Sequence, residues 1–118
     1  REMAIVAMTE EDGEKKMMGV ARVIADAWRE EAEFAIVVAD PYQGLDLGNI
    51  LTDYVLEISR DRGIKKIYAT VMSANKKMIH MFKIRGFEVV REDFETFRAE
   101  LDLGQAIPFT SGLPFQTV

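Results

Sequence analysis

The chain has no cysteine and one histidine. The first absence removes disulfides and thiol chemistry. The second leaves His80 unable to build a zinc site of the usual kind alone, and no metal is expected. Proline is scarce, with 3 residues in 118. No apolar run approaches the roughly 18 residues a membrane-spanning helix needs. No signal-peptide pattern is visible, so the cytoplasm is the expected compartment. Positive charge is in deficit: 15 Lys and Arg stand against 20 Asp and Glu, a net charge of −5. Nucleic-acid binders are normally basic, so neither nucleic acid nor an anionic membrane is an expected partner. What is present, 48% apolar and 30% charged residues, is ordinary for one soluble globular domain.

Ala4 to Thr9 reads as a strand, and Asp12-Gly13 is a strong hairpin-turn signal. Lys16 to Ala25 reads as a second strand, with Met18, Val20 and Ile24 on one face and Val23 on the other. A connection holding Trp28 leads to a third strand, Glu33 to Ala39. That strand is almost purely apolar after Glu33, as expected where both faces are covered. A helix then runs to Gly63. Leu47, Ile50, Leu51, Tyr54, Val55 and Ile58 recur at spacings of three and four and make one apolar stripe. Ile64 to Val71 is a strand, and Asn75 to Arg85 a second helix with Met78, Met81 and Phe82 inward. Phe87 to Val90 and Thr96 to Leu103 close the pattern as an antiparallel pair. Hairpins flanking a strand–helix–strand unit predict a mixed, mostly antiparallel α/β sheet with two main helices. Residues 1–103 form the expected domain. Residues 104–118 lose periodicity and hold Pro108 and Pro114 between apolar residues, an expected docking tail.

The segment Pro41 to Ile50 carries the chemistry. A buried strand breaks into a glycine-bearing turn and restarts as a helix, which aims free backbone N–H groups at one point. Such a helix start is an anion site. A nicotinamide- or flavin-type dinucleotide fold is disfavoured, because no repeated parallel strand–helix pattern surrounds the turn.

Gln43-Gly44-Leu45-Asp46-Leu47-Gly48 resembles the acetyl-CoA motif of the GNAT N-acetyltransferase superfamily, Gln/Arg-x-x-Gly-x-Gly/Ala. Val37 to Pro41, the helix to Gly63, the strand ending near Asn75 and Lys83-Ile84-Arg85-Gly86-Phe87 stand in that family's order, over roughly residues 3 to 103. Gly19 to Val23 and Ala32-Glu33-Phe34-Ala35 look like bacterial protein-lysine acetyltransferases. The resemblance implies an enzyme that moves an acetyl group from acetyl-CoA to a primary amine, such as a protein lysine. It implies that the pyrophosphate sits on the N–H groups of Leu45, Asp46, Leu47, Gly48 and Asn49, beside Gln43 and Gly44. The pantetheine pairs with Ile36, Val37 and Val38, and the Val38 N–H holds the thioester oxyanion. Glu33 matches the family's base, and desolvation would raise its pKa toward a useful range. The plainer reading is a strand-edge carboxylate in water, or a partner of Arg22. Asn75 matches a cofactor contact, or caps the second helix. His80 reads as a surface or half-buried structural residue, and Met17, Met18, Met72, Met78 and Met81 as core filler.

Three features depart from the pattern. Phe82 stands where many relatives have a proton-donating Tyr. Asp46 stands where the pattern has Gly. A carboxylate about 5 Å from a phosphate costs about 1 kcal/mol in water-like surroundings and about 3 at an intermediate dielectric. Its side chain either points to solvent or accepts the N–H groups of Gly48 and Asn49 and fills the site itself. The family's usual first strand and two helices are also missing, so a homodimer or a further N-terminal region is expected to cover the sheet. A non-catalytic CoA-sensing module is the alternative function.

Overall fold

The structure is a computed structural model that describes residues 2–26, 28, 30–44 and 46–105. Leu45 and the apolar tail beyond residue 105 lie outside the described residues. Strands β1 (Glu2–Glu11) and β2 (Glu14–Asp26) form the expected hairpin. Asp12 and Gly13 take φ of 52° and 81° in its turn, the paired left-handed conformation whose twist matches the strands. Next come β3 (Glu31–Val38), a 3₁₀ turn (Asp40–Tyr42) and helix α1 (Leu47–Asp61). Strand β4 (Lys66–Met72), helix α2 (Lys76–Ile84), β5 (Glu88–Arg91) and β6 (Thr96–Asp102) follow. They build one six-stranded sheet in the order β1-β2-β3-β4-β6-β5. Among the described residues only the β3–β4 pair is parallel, so the sheet is mixed and mostly antiparallel as expected.

Side chains alternate across each strand, so the sheet has two faces. One carries Ala21, Val23, Ala32, Phe34, Ile67, Ala69, Val71 and Ala99, all buried. Both helices pack there, through Leu47, Leu51, Val55 and Leu56 of α1 and Met81 and Phe82 of α2. Phe34 meets Phe82 edge-on with ring centroids 5.8 Å apart, and Phe87 lies 4.8 Å from Phe82. The helix α1 rests directly on β2. A Cβ on Gly19 would sit 3.0 Å from the Val37 carbonyl oxygen, 3.2 Å from Leu51 Cδ1 and 3.3 Å from Leu47 Cδ2.

The alternation along β2 fails at one place. The β1–β2 register shifts between Ala7 and Met8, where Ala7 pairs with Gly19 and Met8 with Met17. Met18 is the extra residue of this bulge and packs against the core, instead of sharing a face with Val20 and Ile24.

The other face carries Val6, Met8, Met17, Ile24, Val37 and Met72, all exposed. This corrects two expectations. The strand β3 is covered on one face only: Ala32 and Phe34 are buried, while Val37 is 62% exposed. Met17 and Met72 are likewise surface residues, not core filler. The cause is the same in both cases, since α1 and α2 lie on one side of the sheet. Charged groups are interspersed on the open side. Arg22 pairs with Glu2, Arg98 pairs with Glu100, and the Arg98 guanidinium stacks 3.7 Å from the Tyr68 ring centroid.

Candidate functional site

Strands β3 and β4 pair at Glu31–Lys66, Ala32–Ile67 and Glu33–Tyr68, and then part. The Ala39 N–H donates to the Met18 carbonyl at 2.8 Å, so in the antiparallel alternation the odd residues of β3 bond β2. The backbone groups of Ile36 and Val38 therefore face the splay. The Val38 carbonyl is engaged there, accepting from Gln43 Nε2 at 3.1 Å. Gln43 also donates to Asp40 Oδ1 at 3.2 Å, which fixes the entry to the turn.

The splay opens into a groove of about 520 Å³, within the size range of small-ligand sites. Ile36, Val37 and Val38 supply one wall, and Gln43, Gly44 and Asp46 the turn. Leu47, Gly48 and Asn49 present the start of α1, and Asn75 the start of α2. Residues singled out across forty positions of sequence thus meet in one place. The first bond of α1 runs from the Ile50 N–H to the Asp46 carbonyl at 3.2 Å. The N–H groups of Leu47, Gly48 and Asn49 precede it and have no acceptor within the helix.

Asp46 does not fill the site with its own carboxylate. It makes no side-chain cap to the helix, and its Oδ1 accepts from the Asn49 side-chain amide at 2.7 Å. The reason is local geometry. Asp46 sits at φ 66°, in the left-handed region, whereas a capping residue normally has extended backbone. That conformation also explains why the motif favours Gly at this position. Asp is among the few other residues that tolerate it.

Asn75 is the cap of α2, accepting from the Met78 N–H at 3.1 Å, and it lines the groove as well. Two predicted residues stand elsewhere. Phe82 is buried in the aromatic cluster beneath the groove and is not on its wall. Glu33 belongs to the open face and is exposed, so the desolvation expected for it is not there. It does not pair with Arg22, which reaches Glu2. His80 is exposed on α2, as expected.

Tyr42, Lys77, Met78 and Met81 also line the groove and were not singled out as ligand contacts. Met78 and Met81 carried a signal, since they project inward from a helix that begins beside the turn. Desolvation raises the Tyr42 pKa above its ordinary value, and its hydrogen bond to Glu11 adds to the shift. That bond, 3.0 Å to Oε2, ties the first hairpin to the turn. Arg85 was missed as well. It holds the Asp53 carboxylate at 2.8 and 3.2 Å and donates to the Met81 carbonyl at 3.2 Å. This clamp fixes α2 against α1, and with it the groove's far wall.

The sequence profile of the acetyltransferase (GNAT) family matches residues 1–87. An acetyltransferase of Pseudomonas aeruginosa is 34% identical over 85 residues, which are 72% of this chain and 46% of that protein. The chain thus spans about half the length of that curated relative. A mutant form of the spermidine/spermine N-acetyltransferase of Vibrio cholerae superposes with a TM-score of 0.75 at 24% identity, covering 91% of this chain and 70% of the other. The ribosomal-protein-alanine N-acetyltransferase of Brucella melitensis gives 0.68 at 20% identity, covering 82% and 67%. At these identities the solved structures speak to the fold.

Proposed function

The chain belongs to the GNAT acetyltransferase family, and on that premise we propose that it moves an acetyl group from acetyl-CoA to a primary amine, with a protein lysine as acceptor. The observation that carries this reading is the conjunction of parted strands with three free amides at the start of α1. The Leu47, Gly48 and Asn49 N–H groups receive the pyrophosphate, helped by the helix dipole. Ile36 and Val38 offer backbone groups to the pantetheine amides, as an added strand would meet them. One of these two N–H groups holds the thioester oxygen as charge develops on it. Glu33 accepts the amine proton. At about 3.3 Å per residue it stands about 10 Å along the strand from Ile36, so water relays that proton. The CoA thiolate leaves without a side-chain acid, since Phe82 has no proton to give.

Asp46 and Phe82 favour a second reading, a CoA-binding module that does not turn over. A single assay separates the two. Acetyl-CoA and a lysine peptide are mixed with the protein and free thiol is followed. Thiol release that Glu33→Gln abolishes supports the enzyme; saturable CoA binding without thiol release supports the module. Residues 1–103 are proposed as the acyl-CoA-binding unit, and a second subunit or further chain as the cover of the open sheet face. The cytoplasm is the proposed compartment.

A further inference from the structure

Helix α2 walls much of the groove yet is thinly anchored. With its cap Asn75 it brings Lys77, Met78 and Met81 to the groove. It buries two side chains, Met81 and Phe82, whereas α1 buries six. One guanidinium supplements that anchorage. The Arg85 side chain, at the end of α2, is 16% exposed, although its partner Asp53 on α1 is 64% exposed. Its Nε and Nη2 donate to the Asp53 carboxylate at 2.8 and 3.2 Å. Its Nη1 donates at 3.2 Å to the Met81 carbonyl, one of the last four carbonyls of α2, which a helix leaves without its own donors. Nη2 also reaches the Asn49 carbonyl, in the first turn of α1, at 3.5 Å. The Thr52 hydroxyl of α1 lies 3.6 Å from the Met81 sulfur, but a thioether is a weak acceptor.

Two of these three acceptors belong to residues of the groove. Asn49 carries one of the free amides at the start of α1, and Met81 lines the groove from α2. One planar fork thus joins the anion site to the wall beside it. A lysine ammonium, a single point of donors, would not span the same three acceptors. We propose that Arg85 is a positioning residue of the groove: it sets the spacing between the start of α1 and the α2 wall, and through that spacing the affinity for CoA. The inference rests on the acetyl-CoA reading above. Arg85 acts through geometry and not through its charge, because the Asp53 carboxylate neutralises the guanidinium.

The test is calorimetric titration with CoA, at a temperature where circular dichroism shows each variant folded. Arg85→Met and Arg85→Lys are both expected to bind CoA about tenfold weaker than the wild type, since a small misplacement of one wall is costly. Leu56→Ala, which removes a buried side chain of α1 away from the groove, is expected to lose stability and keep the wild-type affinity. Asp53→Ala decides between geometry and charge, and its exposed site keeps the test open should the Arg85 variants fail to fold. Loosening the clamp should weaken binding about threefold, whereas freeing the guanidinium from its carboxylate would tighten it if charge were what mattered. Wild-type affinity in Arg85→Lys, unchanged or tighter binding in Asp53→Ala, or an equal loss in Leu56→Ala overturns the proposal. Absence of CoA binding by the wild type overturns the acetyl-CoA reading itself, a different result from binding that the variants leave unchanged.

Discussion

The two faces of this sheet are made by the same strands and have opposite characters. Ala32 and Phe34 of β3 are buried under helices, while the alternate residues Glu33, Ala35 and Val37 are exposed. The helix-backed face is small, apolar and close-packed, down to a glycine at the contact between α1 and β2. The open face mixes exposed valine, isoleucine and methionine with ion pairs. Stability therefore resides in one face. The base candidate, Glu33, resides in the other, and the groove runs along the seam where β3 leaves β4. A carboxylate on an uncovered face is in water, and what shields it from water must come from whatever covers that face.

The largest expected effect compares neighbouring positions across the sheet. Phe34→Ala should destabilise by about 3–5 kcal/mol, as aromatic truncation in a packed core does. In the chain without the proposed cover, Val37→Ala should change stability by no more than about 0.5 kcal/mol, the usual range for a surface site. Urea midpoints for both variants measure the contrast. A loss above about 1.5 kcal/mol at Val37 would mean that the open face is covered in solution.

Gly19→Ala probes how closely the helix-backed face is packed. The added methyl meets the Val37 carbonyl oxygen at 3.0 Å and two leucine methyls at 3.2 and 3.3 Å. Backbone cannot yield as a side chain does, so a loss of about 1–3 kcal/mol is expected. Gly48→Ala, where nothing lies within 4 Å, is the control and should lose nothing. If the two variants behave alike, the contact between α1 and β2 is looser than the structure shows.

These contacts also mark what the sequence could reveal. Asp12-Gly13, the apolar stripe of α1 and the turn from Gln43 to Asn49 were legible because their signals are local. The bulge at Met18 was not, since one extra residue leaves the composition of β2 unchanged and shows only against β1. The role of Gly19 depends on where α1 lands. The Arg85–Asp53 clamp joins residues 32 apart, and a helix pattern does not disclose such partners. Glu33 was read as desolvated because its strand is apolar, yet burial belongs to whatever packs on the strand. The turn residues were found by pattern, while Lys77 and Tyr42 were not, because they reach the groove from other elements.

Ser59 tests the helix-backed face in the favourable direction. Its hydroxyl is fully buried and has no hydrogen-bond partner among the described residues. By contrast Thr52, also buried, donates to the Gly48 carbonyl at 2.7 Å. Ser59→Ala removes an orphaned polar group and raises helix propensity, so a gain of about 1 kcal/mol is expected. A loss in the same urea titration would show that the hydroxyl has a partner.

The smallest effect is acid sensitivity, and it separates the faces by chemistry. The buried polar residues, Thr52 and Ser59, do not titrate. Glu100 lies on the open face, where its hydrogen bond from Arg98 holds its carboxyl below the ordinary 4.5. Asp93, in the turn between β5 and β6, is held below its ordinary 3.8 by the Thr96 hydroxyl and by the Glu95 and Thr96 N–H groups. A carboxyl with a lowered folded-state pKa favours the folded protein while ionised. Its contribution is complete above the unfolded-state value and disappears as pH falls through the folded one. Stability should therefore be level near neutrality and begin to fall below about pH 4.5, the loss at Glu100 starting below its ordinary 4.5 and that at Asp93 below its ordinary 3.8. The Glu100→Gln/Asp93→Asn variant keeps acceptor oxygens at both places but no longer titrates there. Urea midpoints between about pH 6 and 3 should fall less steeply for it than for the wild type. Parallel profiles would mean that the acid response comes from other carboxylates and that these two hydrogen-bonded groups contribute nothing measurable.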